Sequence, residues 1–330
     1  MARVAGRLEQ PFSHQLPGNA VGNVEGIRAG VERHQPRTLQ SGDQQAYHLL
    51  VGQGTVFIVL LSTELAGVEQ GDDVEVGEQA GVELDRSWDT GIVSRVIAGA
   101  AVQRQRNPAF DEEDDRRRVW ARVERNVSRV RAGVTAGWQD VSFGPMDDAF
   151  RSVGADVTFD TRINPLMPRN AVYATAAIER LAFSSGGDVR RTRVDGRAYV
   201  GLIGQTTIVV RAVREDASRP LPLYLKSLLG GWSTLRGFRA GSAAGDTLVA
   251  GSVELRVPLT STLSLGKIGV SAFVDSGDAY DKGRKFDSGR LRTGIGGSVW
   301  FTAAVFQMNL GVARGRGADT RVNFGGGFVF

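Results

Sequence analysis

From Val119 to the last residue, apolar and polar side chains take turns in one run after another, most of them about 9–14 residues long. In RTRVDGRAYVGL, Val194, Ala198, Val200 and Leu202 alternate with Arg193, Asp195, Arg197 and Tyr199. RVWARVERNVS sets Val119, Ala121, Val123 and Val127 against Arg122, Glu124 and Asn126. LVAGSVELRVPL sets Val249, Val253, Leu255, Val257 and Leu259 against Ser252, Glu254 and Arg256, and KIGVSAFVDSG sets Ile268, Val270, Ala272 and Val274 against Lys267, Ser271 and Asp275. Side chains point to opposite faces along a strand, so each run is a strand with one apolar and one polar surface. About eleven such runs can be counted, which makes this part of the chain all-β.

A soluble sandwich and a membrane barrel both alternate in this way. The polar faces decide between them. They mix arginine, aspartate and glutamate with glycine and serine, which suits a wet lumen, and the runs are long enough to cross a bilayer when tilted. The pattern therefore favours an antiparallel transmembrane β-barrel. Forty-three glycines fit a turn-rich all-β chain.

Much chemistry is excluded. The chain has no cysteine, and its three histidines (His14, His34, His48) all precede the strands, so neither a Ser-His-Asp nor a Cys-His centre can be assembled among them. DSGDAYD (275–281) has the wrong glycine spacing for a calcium loop, and GGWSTLRG lacks the Gly-Lys-Ser/Thr of a phosphate loop. No enzyme, cofactor or metal is expected. The net charge of +4 is carried by arginines dispersed along the strands, which does not point to nucleic acid. The uncharged run 49–63 is shorter than a helical span and is interrupted by Gly52 and Gly54. No hydrophobic core of a secretory signal follows the N-terminal arginines.

Residues 1–105 differ in character. Eleven of the fourteen glutamines lie there, with no sustained alternation and no helical face. The run DEEDDRRR (111–118) marks the change. Two regions are expected: 1–110, an unassigned segment either non-native or disordered, and 111–330, the barrel.

GGWSTLRGF, residues 230–238, carries more than a turn needs. Gly230, Gly231, Leu235, Arg236, Gly237 and Phe238 resemble, in order, the conserved-loop motif of the BamA/TamA superfamily of outer-membrane assembly and translocation barrels, the bacterial surface antigens. Trp232 departs from the small or polar residue usual after the glycine pair. VTFDTRINPLMPRN is similar to the family's strand–turn element through Asp160, Arg162, Asn164, Pro165 and Pro168, although the glycine usual after the final proline is missing near Arg169–Asn170. VELRVPL and SAFVDSGDAY resemble the two strands after the loop. The ending RVNFGGGFVF, with Phe324, Phe328 and Phe330, resembles the terminal strand signal of outer-membrane barrels.

The resemblance implies that 116–330 is the C-terminal part, about ten or eleven strands, of a sixteen-stranded barrel. It implies that Arg236 folds into the lumen against Glu254 and Asp275, which alternation places on the polar face. It also implies an outer membrane of the Gram-negative type, insertion or translocation of proteins without covalent chemistry, and three kinds of partner: the lipid bilayer, unfolded outer-membrane clients, and periplasmic chaperones or accessory lipoproteins. Two other readings stay open, a passive outer-membrane pore and the export anchor of a larger fused surface protein. Residues 1–105 resemble neither the missing strands nor a periplasmic POTRA domain, and are expected not to be the family's native N-terminal sequence.

Overall fold

Alternation at this length can be satisfied only by a sheet with different media on its two sides. The computed structural model describes residues 45–50, 56–66, 75–88, 91–259, 266–303 and 306–328, all within one compact unit, Gln40–Phe330. Fifteen strands form one antiparallel sheet. They are β1 (Gln45–Leu50), β2 (Val56–Ala66), β3 (Glu75–Ser87), β4 (Arg95–Arg106), β5 (Glu113–Val127), β6 (Val130–Phe143), β7 (Met146–Asp160), β8 (Ala171–Phe183), β9 (Asp188–Gly201) and β10 (Thr207–Ala217), then β13 (Thr247–Leu259), β14 (Lys267–Tyr280), β15 (Arg292–Ala303), β16 (Phe306–Gly315) and β17 (Thr320–Phe328). Each pairs with its neighbour in sequence. The one long connection, 218–246, carries the short hairpin β11 (Ser227–Leu229) and β12 (Ala243–Gly245), and β10 pairs directly with β13 across it.

Burial is inverted relative to a water-soluble fold. Val134, Val153 and Ile295 are more than half exposed, while Asp114, Asp195, Glu254 and Asp275 are buried. Burying a charged group is costly unless it is paired, and on the inner wall these carboxylates meet arginines. Arg122 reaches Glu124 on its own strand at 2.6 Å and Asp156 on β7. Asp195 accepts from Arg197 at 3.1 Å and from Arg211 of β10 at 2.8 Å. Toward mid-strand the outer face is apolar, as a lipid-facing surface must be.

The 218–246 connection lies against the inner wall. Arg116 of β5 donates to the Tyr224 carbonyl at 2.6 Å, and the Tyr224 hydroxyl donates to Asp148 of β7 at 2.7 Å. Burial first, and then the Asp148 hydrogen bond, push the Tyr224 phenol up, so it remains a donor. Farther along, the Ser242 carbonyl accepts from Arg292 of β15 at 2.7 Å, and Gly315 of β16 donates to the Gly237 carbonyl at 3.1 Å. One segment touches both early and late strands, so the sheet curls around it. Tyr224, Leu221 and Leu225 complete an inner apolar cluster with Val141, Phe143, Phe150 and Leu181.

From Glu113 onward the sheet has eleven strands, as the alternation implies. The compositional break near residue 110, however, leaves no break in the sheet. β4 pairs with β5 from Arg95↔Glu124 to Arg106↔Glu113, and β1–β3 continue the order backward. The expectation that no strand pattern precedes residue 105 is therefore corrected. β4 hides its alternation because Ile97 and Ala101 are buried on its inner face while Val102 is exposed on the outer one. Apolar residues on both faces erase the period-two signal.

An outward position near mid-strand tests the two-media reading. Val134→Arg should destabilise the barrel in lipid vesicles by about 2–4 kcal/mol, measured by urea titration, because a charge there meets hydrocarbon. A change within about 0.5 kcal/mol, as for a surface site in water, would refute the lipid-facing assignment.

Candidate functional site: a clasped loop inside the barrel

Residues 230–238 form a tight knot. Gly231 N–H donates to the Phe238 carbonyl at 2.9 Å, and the Thr234 hydroxyl accepts from Gly230 N–H and donates to the Gly230 carbonyl. Gly230 has φ +112°, and a Cβ there would lie 1.9 Å from the Arg239 carbonyl oxygen. Gly237, at φ +91°, lets the loop pass so close to β16 that a Cβ would meet the Arg314–Gly315 backbone at 2.7 Å. Both positions demand glycine for conformation and for room. Leu235 is fully buried among Val213, Leu229, Leu248, Ala250 and Ala279, with Phe238 packed alongside.

This knot aims Arg236 at the wall. Its Nε donates to Asp275 Oδ2 at 2.8 Å and its Nη2 to Asp275 Oδ1 at 2.7 Å, a forked pair, while its backbone N–H also donates to Oδ2 at 3.0 Å. Nη1 donates to Glu254 Oε2 at 2.8 Å, and Glu254 is held in turn by Arg256 at 2.7 Å. Arg236 is 6% exposed. Burial works against its charge, yet the Asp275 and Glu254 carboxylates outweigh that and raise its pKa above the ordinary arginine value.

Three partners are not apparent from the motif alone. Ser252 accepts from Arg236 Nη2 at 3.0 Å and donates to Asp275 at 2.7 Å. The guanidinium carbon lies 3.4 Å from the centroid of the Phe273 ring, and Trp232 flanks it at 5.6 Å. Ser252 and Phe273 each sit two residues before a carboxylate, on the same face of the same strand, and that parity was the signal that could have found them. Trp232, the residue that departs from the family pattern, reaches β16 and β17: a Cβ on Gly311 would meet its ring at 3.1 Å and one on Gly325 would meet its Nε1 at 3.6 Å.

The strand–turn element lies at the other end of the barrel. Asp160 accepts three hydrogen bonds from Arg162, whose guanidinium stacks 4.4 Å over Tyr173. Asn164 Oδ1 accepts from Leu166 and Met167, Pro165 is exposed and Pro168 is buried. Asn170 adopts φ +47°, so an asparagine supplies the left-handed turn that the missing glycine would give. With the inner faces of β13–β16 the turn borders a cavity of about 240 Å³, where Asn164 and Pro168 face Arg256, Lys267 and Trp300. In the terminal strand Phe324 is exposed. Phe328 ends β17, with only its backbone described, and Phe330 lies outside the described residues. Among the described residues no His/Cys/Asp/Glu group could hold a metal ion.

An inverted antiparallel sheet wrapped around an inward loop defines a membrane β-barrel with an internal plug. Residues 77–330 match the Omp85 superfamily domain, and the chain belongs to that superfamily. Its fold is similar to BamA from Haemophilus ducreyi lacking POTRA domains 1–3, with TM-score 0.65 at 12% identity over 85% of this chain and 68% of that one. It is also similar to CdiB from Acinetobacter baumannii, with TM-score 0.54 at 14% identity over 82% of this chain and 53% of that one. No curated protein matches the sequence. The superfamily reaches back to residue 77, well before the expected barrel start.

Removing one member of a buried, hydrogen-bonded charge pair leaves the other uncompensated. Arg236→Ala should cost about 3–5 kcal/mol in vesicles, whereas the exposed Arg284→Ala should cost almost nothing, both read by heat-modifiable gel migration and urea titration. Equal tolerance would refute the clasp.

Proposed function

We propose that the protein inserts or translocates other proteins at the outer membrane of a Gram-negative-type bacterium, without covalent chemistry. Membership of the Omp85 superfamily and likeness to BamA and CdiB support this reading. The observation that carries it is the plug. A loop held inside by Arg236, Asp275 and Glu254 narrows the lumen, so the lumen is a poor route for free diffusion. Work on clients then falls to the sheet margin.

That margin has the needed chemistry. Among the described residues β17 pairs only with β16, through registers that set Gly325, Gly326 and Gly327 against Asn309, Met308 and Gln307. Glycine in a strand packs nothing and weakens pairing. A strand edge with free N–H and C=O groups is costly in lipid and templates an incoming strand. An unfolded client strand can pair there, and burial of its apolar face in the bilayer drives folding. Periplasmic chaperones or accessory lipoproteins would deliver such clients. The clasp holds β13–β16 as a fixed wall while the margin exchanges partners.

The test is reconstitution of the full chain in vesicles, adding a urea-unfolded outer-membrane barrel as client. Faster client folding than in empty vesicles, reduced by Arg236→Ala, is the expected result. No acceleration, together with a large steady conductance across planar bilayers, would replace this reading with a passive pore.

A further inference from the structure

The outward face of the sheet is apolar toward mid-strand, and its loop end carries a row of arginines. On β4, β5, β7, β8, β10 and β16 an outward apolar residue is followed, two positions on toward the end that carries the 218–246 loop, by an arginine. The pairs are Val102 and Arg104, Val119 and Arg117, Val153 and Arg151, Ile178 and Arg180, Ala212 and Arg214, and Val312 and Arg314. All six arginines are exposed. Two residues along a strand are about 7 Å, one step beyond the hydrocarbon edge. The next outward positions are Arg106, Asp115, Ala149, Ala182 and Asp216, and Asp140 of β6 stands directly opposite Arg117.

The opposite end is built differently. There the outward positions stay apolar to the strand ends, as at Val127, Phe159, Leu202 and Ile268. Its two outward cations are engaged locally: Arg86 stacks over Trp88, and Arg125 donates to the Gly91 carbonyl.

Within the row, Arg104 is paired with Asp115 and Arg180 with Asp188. Arg117, Arg151, Arg214 and Arg314 have no side-chain ion pair or hydrogen bond among the described residues. Arg180 and Arg190 stand directly opposite each other across β8 and β9, a like-charge pair that Asp188, bonded to Arg180, partly offsets. Side-chain entropy and strand pairing alone do not explain placing outward guanidinium groups toward the same end of six strands. A plane of phosphates does. Arginine binds phosphate with a forked pair of donors, and its stem lies along apolar surface while its head reaches the interface.

We infer that this row is a binding belt for anionic, phosphate-bearing lipid headgroups of the leaflet around the loop end, concentrated on the β4–β10 arc and on β16. The belt fixes the depth of the barrel in the bilayer. It requires only that the barrel spans a membrane, not that it assembles proteins, so the client-folding assay above and the lipid test below fail independently.

The full chain is placed in bilayers of phosphatidylcholine containing a minority of phosphatidylglycerol, extracted as small nanodiscs, and the lipids that stay bound are counted by native mass spectrometry. Bound phosphatidylglycerol should exceed its bulk share by about fivefold, and the excess should fall on adding salt. The fourfold variant R117Q/R151Q/R214Q/R314Q should lose most of the excess, the corresponding fourfold lysine variant should keep much of it, and R86Q/R125Q at the other rim should leave it unchanged. No excess in the unaltered protein, an excess insensitive to salt, or an excess unchanged in the fourfold glutamine variant would overturn the belt. Should the glutamine variant fail to fold, the salt response and the other-rim variant decide.

Discussion

A guanidinium with almost no contact with water, forked onto one carboxylate and shared with a second, sets the architecture of the interior. Arg236 meets Asp275 through three donors and Glu254 through one, with Ser252 closing the ring and Phe273 beneath it. A buried pair of this kind is weak evidence for stability as such, because desolvation takes back much of the Coulomb gain. Its worth lies in specificity. The loop's position engages the backbone N–H, Nε, Nη1 and Nη2 of Arg236 at once, and the two carboxylates sit on adjacent strands, β13 and β14, whose register places Ser252 opposite Asp275.

The rest of the structure accommodates that contact. Gly230 and Gly237 let the knot turn and approach β16, and Leu235 anchors it in an apolar pocket of the lumen. Trp232 extends the knot toward β17, so the plug touches the strand next to the sheet margin. The outer face answers a different requirement, lipid contact, with valine, isoleucine and leucine in the middle and arginine at one rim. Inner and outer surfaces thus carry separate tasks on alternate residues of the same strands.

How much of this could be read from the residues follows from the same alternation. The eleven strands from Glu113 onward are legible because one face is charged and the other is not. Arg236, Glu254 and Asp275 are legible as partners once the family motif fixes the loop inward and parity fixes both carboxylates. Phe273 and Ser252 escape because an aromatic on a polar face and a serine beside glutamate look incidental. β4 escapes because Ile97 and Ala101 give it apolar side chains on both faces, and β1–β3 lie in the same glutamine-rich stretch. The glycine missing after Pro168 looked like a departure, yet Asn170 takes the left-handed conformation and its amide oxygen accepts from Gly201 N–H at 2.9 Å.

The central claim is that Arg236 and Asp275 act as one unit holding the loop. A double-mutant cycle of Arg236→Ala and Asp275→Ala in lipid vesicles, read by urea titration, tests it most directly. The two changes should be far from additive, with a coupling of about 1–3 kcal/mol. Additivity within about 0.5 kcal/mol would contradict the clasp and, with it, the plugged-lumen account of the barrel.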